Sequence, residues 1–186
     1  MNNKMIFKID NFPWDKTGFR PETSVEMSYD DTGFELCFST DEKEIRAFQT
    51  HNNTDVHLDS CMEAFIQFLP DKDNSYINFE INPNGAMKCA RGENRYDRIE
   101  YSDSVIDSFK IKTQVDTNGW KAWFKIPVEF IKKEYPEYVH GKNSHIRANF
   151  YKCGDNTKTP HWGCWNSIVC SQPDFHRPEY FGDIVL

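Results

Sequence analysis

Short stretches in which apolar and polar residues alternate dominate this sequence. One example is residues 34–38, where Phe34, Leu36 and Phe38 are separated by single residues. Because successive side chains of a β-strand point to opposite faces, this period of two predicts strands with one face against a core. Strands are predicted in the same way at residues 59–69, 76–82, 109–115, 120–126 and 145–151, with a closing strand at 181–186.

Tight turns and very little helix complete the predicted fold. Asn-Gly pairs at 84–85 and 118–119 each follow a predicted strand and favour hairpin turns. The best helical candidate is residues 127–135, which begin with a proline and are followed by another. Many short strands with little helix predict a single domain over residues 1–186. We expect it to be an all-β antiparallel sandwich of jelly-roll or immunoglobulin-like type, with at most one or two short helices.

Three of the predicted strands carry an unusual second face. In 59–69, 76–82 and 145–151 this face holds carboxylates, amides, one arginine and aromatic rings but no lysine, whereas the hairpin at 109–126 carries several lysines. Directional hydrogen-bonding groups suit vicinal hydroxyls, and a flat ring suits the C–H face of a pyranose. A binding face is therefore predicted, the alternative being a decorated but inert sheet face. Its candidate residues are Glu63, Asn78, Glu80, Arg147, Asn149 and Tyr151.

The last quarter of the chain is rich in aromatic residues within loop-like sequence. Trp162 and Trp165 belong to a His-Trp-Gly-Cys-Trp segment, and prolines follow at positions 173 and 178. Exposed aromatic residues on loops often bind ligands. Buried tryptophans can instead close the end of a sandwich, and both interpretations stay open for these two rings.

Composition and charge narrow the class of partner. The 186 residues include 15 Phe, 8 Tyr and 5 Trp, which is not the composition of a disordered chain. The net charge is −7 and no Lys/Arg cluster is present, which argues against nucleic acid and anionic membranes. No apolar run reaches the about 18 residues of a membrane span, and the N-terminus does not resemble a secretory leader. We expect a cytoplasmic protein, or an extracellular one whose leader was removed.

The cysteines and histidines predict little chemistry. No pair of the six cysteines has the C-x2-C spacing typical of zinc sites, so free thiols packed as small apolar groups are expected. His161 and His176 lack a carboxylate–histidine spacing typical of metal sites. Residues 71–74 resemble half of a calcium loop without its glycine and distant glutamate. No cofactor and no metal are predicted, with bound calcium left open.

Four short segments, taken in order, resemble one known family. They are Asp59-Ser-Cys-Met-Glu63-Ala-Phe, Tyr76-Ile-Asn-Phe-Glu-Ile-Asn82, Arg147-Ala-Asn-Phe-Tyr151 and Phe175-His-Arg-Pro-Glu-Tyr-Phe-Gly182. Together they resemble the family 9 carbohydrate-binding modules, and more closely a family 9-like bacterial group with a DOMON-type sandwich. The resemblance spans about residues 59–186. It implies a β-sandwich that binds sugars without cleaving them, with bound calcium in some members.

The resemblance also implies roles for individual polar residues. In the family's modules two tryptophan rings clamp the sugar, and polar groups of neighbouring strands bond its hydroxyls. The acid of the Asp-Ser-x-x-Glu motif falls on Glu63, and two polar positions of the next strand fall on Asn78 and Glu80.

The clamp positions match the family less well. Phe175 occupies the position of one clamp tryptophan, and Gln172 occupies the position of an amide residue three residues earlier. The position of the other clamp tryptophan corresponds to about residues 56–57, where this sequence has no tryptophan. Trp162 or Trp165 would have to take the place of that ring.

The leading hypothesis is a non-catalytic domain whose partner is a mono- or oligosaccharide. Three alternatives remain open. Glu63 and Glu80 could form a glycosidase pair, which requires carboxyl groups about 5 to 9.5 Å apart. A haem or redox domain would need axial ligands such as Met or His. A protein-interaction module would use the aromatic loops to dock a partner, and the oligomeric state is left open.

Overall fold

Strands make up most of the regular structure in the computed structural model, which describes residues 3–186. The strands are β1 (Asn3–Ile9), β2 (Thr23–Asp30), β3 (Gly33–Thr40), β4 (Cys61–Gln67), β5 (Tyr76–Ile81), β6 (Met87–Gly92), β7 (Ile99–Glu100), β8 (Lys112–Asp116), β9 (Gly119–Pro127), β10 (His145–Cys153), β11 (Trp162–Cys164) and β12 (Gly182–Val185). The α-helices are α1 (Asp103–Ser108) and α2 (Val128–Glu134), and single 3-10 turns lie at Val56–Leu58 and Pro178–Tyr180. No helix in this described range has the length and apolarity needed to cross a membrane.

The strands form two antiparallel sheets packed face to face. Sheet A has the order β1-β2-β3-β9-β8, and sheet B has the order β11-β10-β4-β5-β6-β7. β12 also pairs with β10, on the edge that β11 uses: β11 lies beside residues 151–153 and β12 beside residues 145–148. The predicted all-β antiparallel sandwich is confirmed.

Aromatic side chains from both sheets form the centre of the core. Phe38 and Phe124 of sheet A contact Phe150 and Phe79 of sheet B, with ring centroids 6.3 Å and 5.4 Å apart respectively. All four side chains are almost fully buried, and burial of each contributes about 1.5 to 3 kcal/mol. These residues are the ones that the period-two pattern assigned to the inner faces of their strands.

Most predicted connections are also found. The helix predicted at 127–135 is α2, and both Asn-Gly pairs lie in hairpin turns, between β5 and β6 and between β8 and β9. Gly119 has a φ of +136°, and a Cβ there would lie 2.0 Å from the carbonyl oxygen of Thr40. Only glycine therefore fits this turn.

The strand predicted at 109–115 is shorter than expected. Strand β8 begins at Lys112, because Phe109 ends helix α1 and its buried ring packs 5.5 Å from that of Phe79. Lys110 then has a φ of +55°, which turns the chain into the strand. Helix α1 was not predicted, since six residues are too few to display a helical period.

The central strands of sheet B are buried on both faces. Every residue of β4 and β5 is buried, including the polar second face predicted from the sequence. An outer sandwich face usually contacts solvent. Here it is covered by a second apolar cluster to which Trp14, Val56, Ile168, Phe175 and Phe181 contribute from outside β4, β5 and β10. The predicted binding face is therefore enclosed rather than flat and open.

A buried ionic cluster joins the two sheets at one end of the sandwich. Lys152 of β10 is completely buried, and its Nζ lies 2.9 Å from Oε2 of Glu42 and 3.0 Å from Nε2 of His161. The indole N–H of Trp120 in β9 also donates to Glu42, at 3.1 Å. Burial acts to raise the pKa of Glu42, but the charge and hydrogen bond of Lys152, with His161 and Trp120, together lower it below the ordinary value. Burial, followed by the charge of Lys152, lowers the pKa of His161 to about 4.

We predict that Glu42→Gln lowers the free energy of unfolding by about 3 to 5 kcal/mol, because it leaves the buried Lys152 ammonium without a counter-charge. Urea denaturation at neutral pH measures this. Glu44→Gln is the matched control, since Glu44 forms an exposed ion pair with Lys158 and should change stability by no more than about 1 kcal/mol. Equal losses in the two variants would contradict the prediction.

Candidate functional site

A cavity of about 570 Å³ lies on the outer side of sheet B. Glu63, Asn78 and Glu80 form its floor together with Phe65, and the remaining lining comes from His57 and from residues within 88–100, 153–162 and 173–176. Its volume is in the range of small-molecule sites. The cavity thus lies where the cover over β4 and β5 is incomplete.

Two buried carboxylates lie side by side on this floor. Glu63 of β4 and Glu80 of β5 are direct partners in the strand register, which places their Cβ atoms about 4.5 to 5.5 Å apart. Their side chains accept hydrogen bonds from the thiol of Cys153 (3.0 Å) and the amide of Asn78 (2.9 Å), respectively. Among the described residues, no basic side chain forms an ion pair with either carboxylate.

The protonation of both carboxylates is shifted. Burial first, and then the charge of Glu80, raise the pKa of Glu63 well above its ordinary value. Burial also raises the pKa of Glu80, although His57, Lys88 and Arg98 act in the opposite direction. The pair therefore holds protons more tightly than exposed glutamates do.

Arg98 holds the side-chain amide of Asn78 in place on the cavity floor. Its Nε donates to Oδ1 of Asn78 at 3.0 Å, and its terminal nitrogens donate to backbone carbonyls, including that of Ala90 at 2.8 Å. The guanidinium also lies 4.4 Å from the ring centroid of Tyr76. Because Asn78 accepts from Arg98, its N–H donates to Glu80, and the three side chains form one ordered chain.

Aromatic rings form part of the cavity wall. The indole N–H of Trp162 donates to Asp155 at 2.7 Å, so that its half-buried ring is held in place at the wall. The ring of Phe175 is stacked on Tyr151, with centroids 4.1 Å apart and planes 7° apart. Tyr96 also lines the cavity but is 88% exposed.

Histidine and basic groups occupy the rim. His176 shares a hydrogen bond of 2.7 Å with the hydroxyl of Tyr76. Burial, followed by the charge of Arg98, lowers the pKa of His176 to about 3. Arg95 pairs with Asp174 at 2.6 Å, and Lys88 lies 3.5 Å from Asp55. The rim cations are therefore already paired with acids.

Half of the residues predicted for the site line this cavity. They are Glu63, Asn78, Glu80, Trp162 and Phe175. The alternation pattern identified the polar three, and the family resemblance identified Phe175.

The other five predicted residues lie outside the cavity lining. Arg147 donates to the carbonyl of Phe181 at 2.8 Å, and Asn149 bonds the backbone of Asn166. Tyr151 lies behind Phe175, to whose carbonyl oxygen its hydroxyl donates at 3.1 Å. The two remaining residues are Trp165, which packs in the main core against Phe7 and Phe150, and Gln172, which is exposed.

Several lining residues were not predicted from the sequence. Arg98 and Tyr96 lie in the irregular segment before β7, where no strand alternation points to them. Asp155 lies in the loop after β10 and is recognisable only through its hydrogen bond to Trp162. His57 lies at the family's missing clamp position, which was the one available signal.

Asp59, the first residue of the Asp-Ser-x-x-Glu motif, has a structural role. Asp59 is completely buried, and its Oδ2 accepts hydrogen bonds from the backbone N–H groups of Phe48 and Gln49 and from the amide of Asn82. The preceding loop is thereby fastened to the turn between β5 and β6. This orients the chain as it enters β4 and places Glu63 in the cavity.

All six cysteines are free thiols, as predicted, and two of them contribute to a possible metal site. Cys61, Glu63 and Cys153 bring their ligand atoms within 4.8 Å of one another, the one such group among the described residues. Calcium prefers oxygen ligands, so this set does not fit it. In the half-loop at 71–74, the carboxylate of Asp73 is bonded to Ser75 and Arg91, and calcium stays an untested prediction.

Comparison with known proteins identifies the family. The family model for Carbohydrate-binding family 9 matches residues 1–186. This chain belongs to that family. The prediction from the ordered motifs is confirmed, while the narrower bacterial and DOMON-type assignments stay predictions.

Two solved structures and one curated relative are similar to this family 9 chain. A Bacteroides uniformis protein proposed to bind carbohydrate has a TM-score of 0.82 and 27% identity, covering 97% of this chain and 85% of its own. A family 9 module of Caldicellulosiruptor kristjanssonii in complex with cellotriose has a TM-score of 0.63 and 10% identity, covering 99% and 82%, which shows a shared fold. An Arthroderma benhamiae protein named "Extracellular protein" is 25% identical over 89% of this chain and 79% of its own length.

We predict that Glu63→Gln stabilises the protein, and more so at pH 8 than at pH 5. Because the pKa of Glu63 is raised on folding, the folded state binds its proton more tightly than the unfolded state. The free energy of unfolding therefore falls as pH rises above the ordinary glutamate pKa of about 4.3. The amide of the variant does not titrate, so thermal melting at the two pH values measures the difference.

Glu100→Gln is the control for this experiment. Glu100 also lines the cavity but is exposed, so its replacement should change stability by no more than about 0.5 kcal/mol at either pH. A Glu63→Gln variant that is destabilised equally at both pH values would show that the carboxylate is needed for the fold instead.

Proposed function

We propose that this family 9 protein is a non-catalytic module that binds a mono- or oligosaccharide in the cavity over β4 and β5. The observation that carries the proposal is the combination of a polar floor with ring-lined walls. Glu63, Asn78 and Glu80 offer hydrogen-bonding groups at the floor, while Trp162 and Phe175 offer apolar surface beside them. Sugars present the same two kinds of surface, hydroxyls and C–H faces.

Burial is what makes these groups suitable for recognition. The floor residues are between 1% and 5% exposed, and a hydrogen bond to a carboxylate in such a place is stronger than a neutral one. Weak single-site binding is expected, with a Kd of about 10 to 100 μM, or about −7 to −5 kcal/mol.

The charge of the lining favours a neutral sugar over an anionic one. Five acidic residues (Glu63, Glu80, Glu100, Asp155 and Asp174) outnumber three basic residues (Lys88, Arg95 and Arg98) in the lining, so an anionic sugar would meet no excess of positive charge. The two similar Caldicellulosiruptor structures are complexes with cellotriose and with glucose. Neutral glucose-based saccharides are therefore the first ligands to try, and glucuronate should bind more weakly than glucose.

The arrangement of the carboxylates supports binding without hydrolysis. A glycosidase places its two carboxyl groups on either side of the scissile bond. Glu63 and Glu80 lie next to each other on adjacent strands of one floor, so both would contact the same side of a ligand. We therefore propose that they accept hydrogen bonds from sugar hydroxyls.

The relatives also bear on where the protein acts. The Arthroderma benhamiae relative is named an extracellular protein. This supports the second location considered from the sequence, outside the cell, for capture of saccharides there.

We predict that Trp162→Ala weakens saccharide binding by about tenfold or more, equivalent to about 1.4 kcal/mol, because it removes the apolar wall beside the floor. Isothermal titration against glucose, cellobiose, cellotriose, xylobiose, galactose and lactose identifies the ligand and then measures the loss.

Trp123→Ala is the matched control for this variant. Trp123 is another half-buried tryptophan, but it lies on β9 in sheet A and away from the cavity. It should leave the affinity unchanged. The site assignment would be overturned by equal losses in both variants, and the proposed function by the absence of binding to every saccharide in the panel.

We further predict that no new reducing ends form when the bound oligosaccharide is incubated with the protein, since binding is proposed to be the whole activity. Glu80→Gln should weaken binding. A time-dependent release of reducing ends that Glu80→Gln abolishes would instead establish a glycosidase.

A further inference from the structure

Two thiols and a carboxylate lie together at the back of the cavity. The Sγ atoms of Cys61 and Cys153 and a carboxylate oxygen of Glu63 all lie within 4.8 Å of one another, and Cys153 Sγ is 3.0 Å from Glu63 Oε1. Tetrahedral zinc, with Zn–S of about 2.3 Å and Zn–O of about 2.0 Å, holds such ligand atoms about 3.5 to 3.8 Å apart. The three donors are thus near enough to one another for small side-chain movements to bring them to these separations.

The sheet holds these donors in fixed positions. Cys61 and Cys153 are direct register partners on β4 and β10, and Glu63 lies two residues after Cys61 on the same face. Both strands are central in sheet B and fully buried at these positions. A site built on paired strands needs little rearrangement when it binds its ion.

The charge at this point also favours a cation. Glu63 and Glu80 are adjacent buried carboxylates, and among the described residues no basic side chain forms an ion pair with either of them. A divalent ion bound to Glu63 would take the place of the proton that this buried carboxyl group otherwise holds. Glu63 and Cys153 line the cavity, whereas Cys61 does not, so the open coordination position would face the cavity.

We propose that Cys61, Glu63 and Cys153 bind one thiophilic divalent cation of the zinc type, with a water molecule or a ligand hydroxyl as the fourth donor. Two thiolates make the set unsuitable for calcium or magnesium and suitable for zinc. The ion binds as both thiols lose their protons to solvent, and any proton that the Glu63 carboxyl group holds leaves with them.

Proton release sets the pH dependence of binding. Because thiolates rather than thiols bind the ion, metal affinity should increase as the pH rises.

The direct test is titration of the reduced, metal-stripped protein with Co²⁺, followed by displacement with Zn²⁺. We expect one Co²⁺ per chain, a thiolate-to-cobalt charge-transfer band in the near ultraviolet, and loss of that band when Zn²⁺ is added. Zinc should also raise the melting temperature, as any ligand of the folded state does. No sugar is present, so the result is independent of carbohydrate binding.

Cysteine variants assign the site. Cys61→Ser and Cys153→Ser should each weaken Zn²⁺ binding by more than about 100-fold, since losing an outer-shell partner alone costs about 10- to 100-fold. Cys37→Ser is the control, because Cys37 is a half-buried thiol of β3 in sheet A. Circular dichroism checks that each variant is folded.

Two results would overturn the proposal. One is a folded, reduced wild-type protein that shows neither the cobalt band nor a melting shift with zinc. The other is a band that survives in the Cys61→Ser and Cys153→Ser variants, which would place the ion elsewhere.

Discussion

Burial of the central strands of sheet B on both faces is the constraint on which the rest of this structure depends. A strand covered on one side needs only one apolar face, but β4 and β5 are covered on both. Their outer face is polar at Glu63, Asn78 and Glu80, and polar groups cannot be buried without partners except at a large cost. The surrounding chain therefore has to supply hydrogen bonds as well as apolar cover.

The segments that supply this cover are themselves held by buried polar groups. Asp59 fastens the loop before β4, and Arg98 fastens Asn78 through its hydrogen bonds. At the end of the sandwich, Lys152 and Glu42 play a similar part between the sheets. Each of these charges is costly to bury alone and favourable only in its complete network. The cavity lies over β4 and β5, among the segments that these networks hold in place.

The sandwich could be predicted from the sequence because its information is local. Period-two alternation at Phe34, Leu36 and Phe38 is enough to place a strand and its inner face. The polar floor was predicted for the same reason, since the second face of a strand follows from the first. Helix α1 was missed because it is too short to show a period.

The walls of the cavity could not be predicted in this way. Arg98, Tyr96 and Asp155 come from irregular segments whose path depends on contacts far away in the chain. Trp162 and Trp165 show the same limit of prediction from sequence. They are only three residues apart in one segment, yet they lie in different parts of the structure. Trp162 lines the cavity, whereas Trp165 packs in the core against Phe7. Only the tertiary structure distinguishes such a pair.

The pairing of both β11 and β12 with one edge of β10 has a consequence for recognition. The segment between these two strands, residues 165–181, is anchored at each end to the same central strand. Within this segment, Phe175 is held against Tyr151 of that strand by ring stacking and by the bond from the Tyr151 hydroxyl to its carbonyl oxygen. A ligand entering the cavity would meet a wall that is already ordered, so little conformational entropy is lost on binding. Preorganisation of this kind lets an enclosed site with few contacts keep more of its interaction energy as affinity.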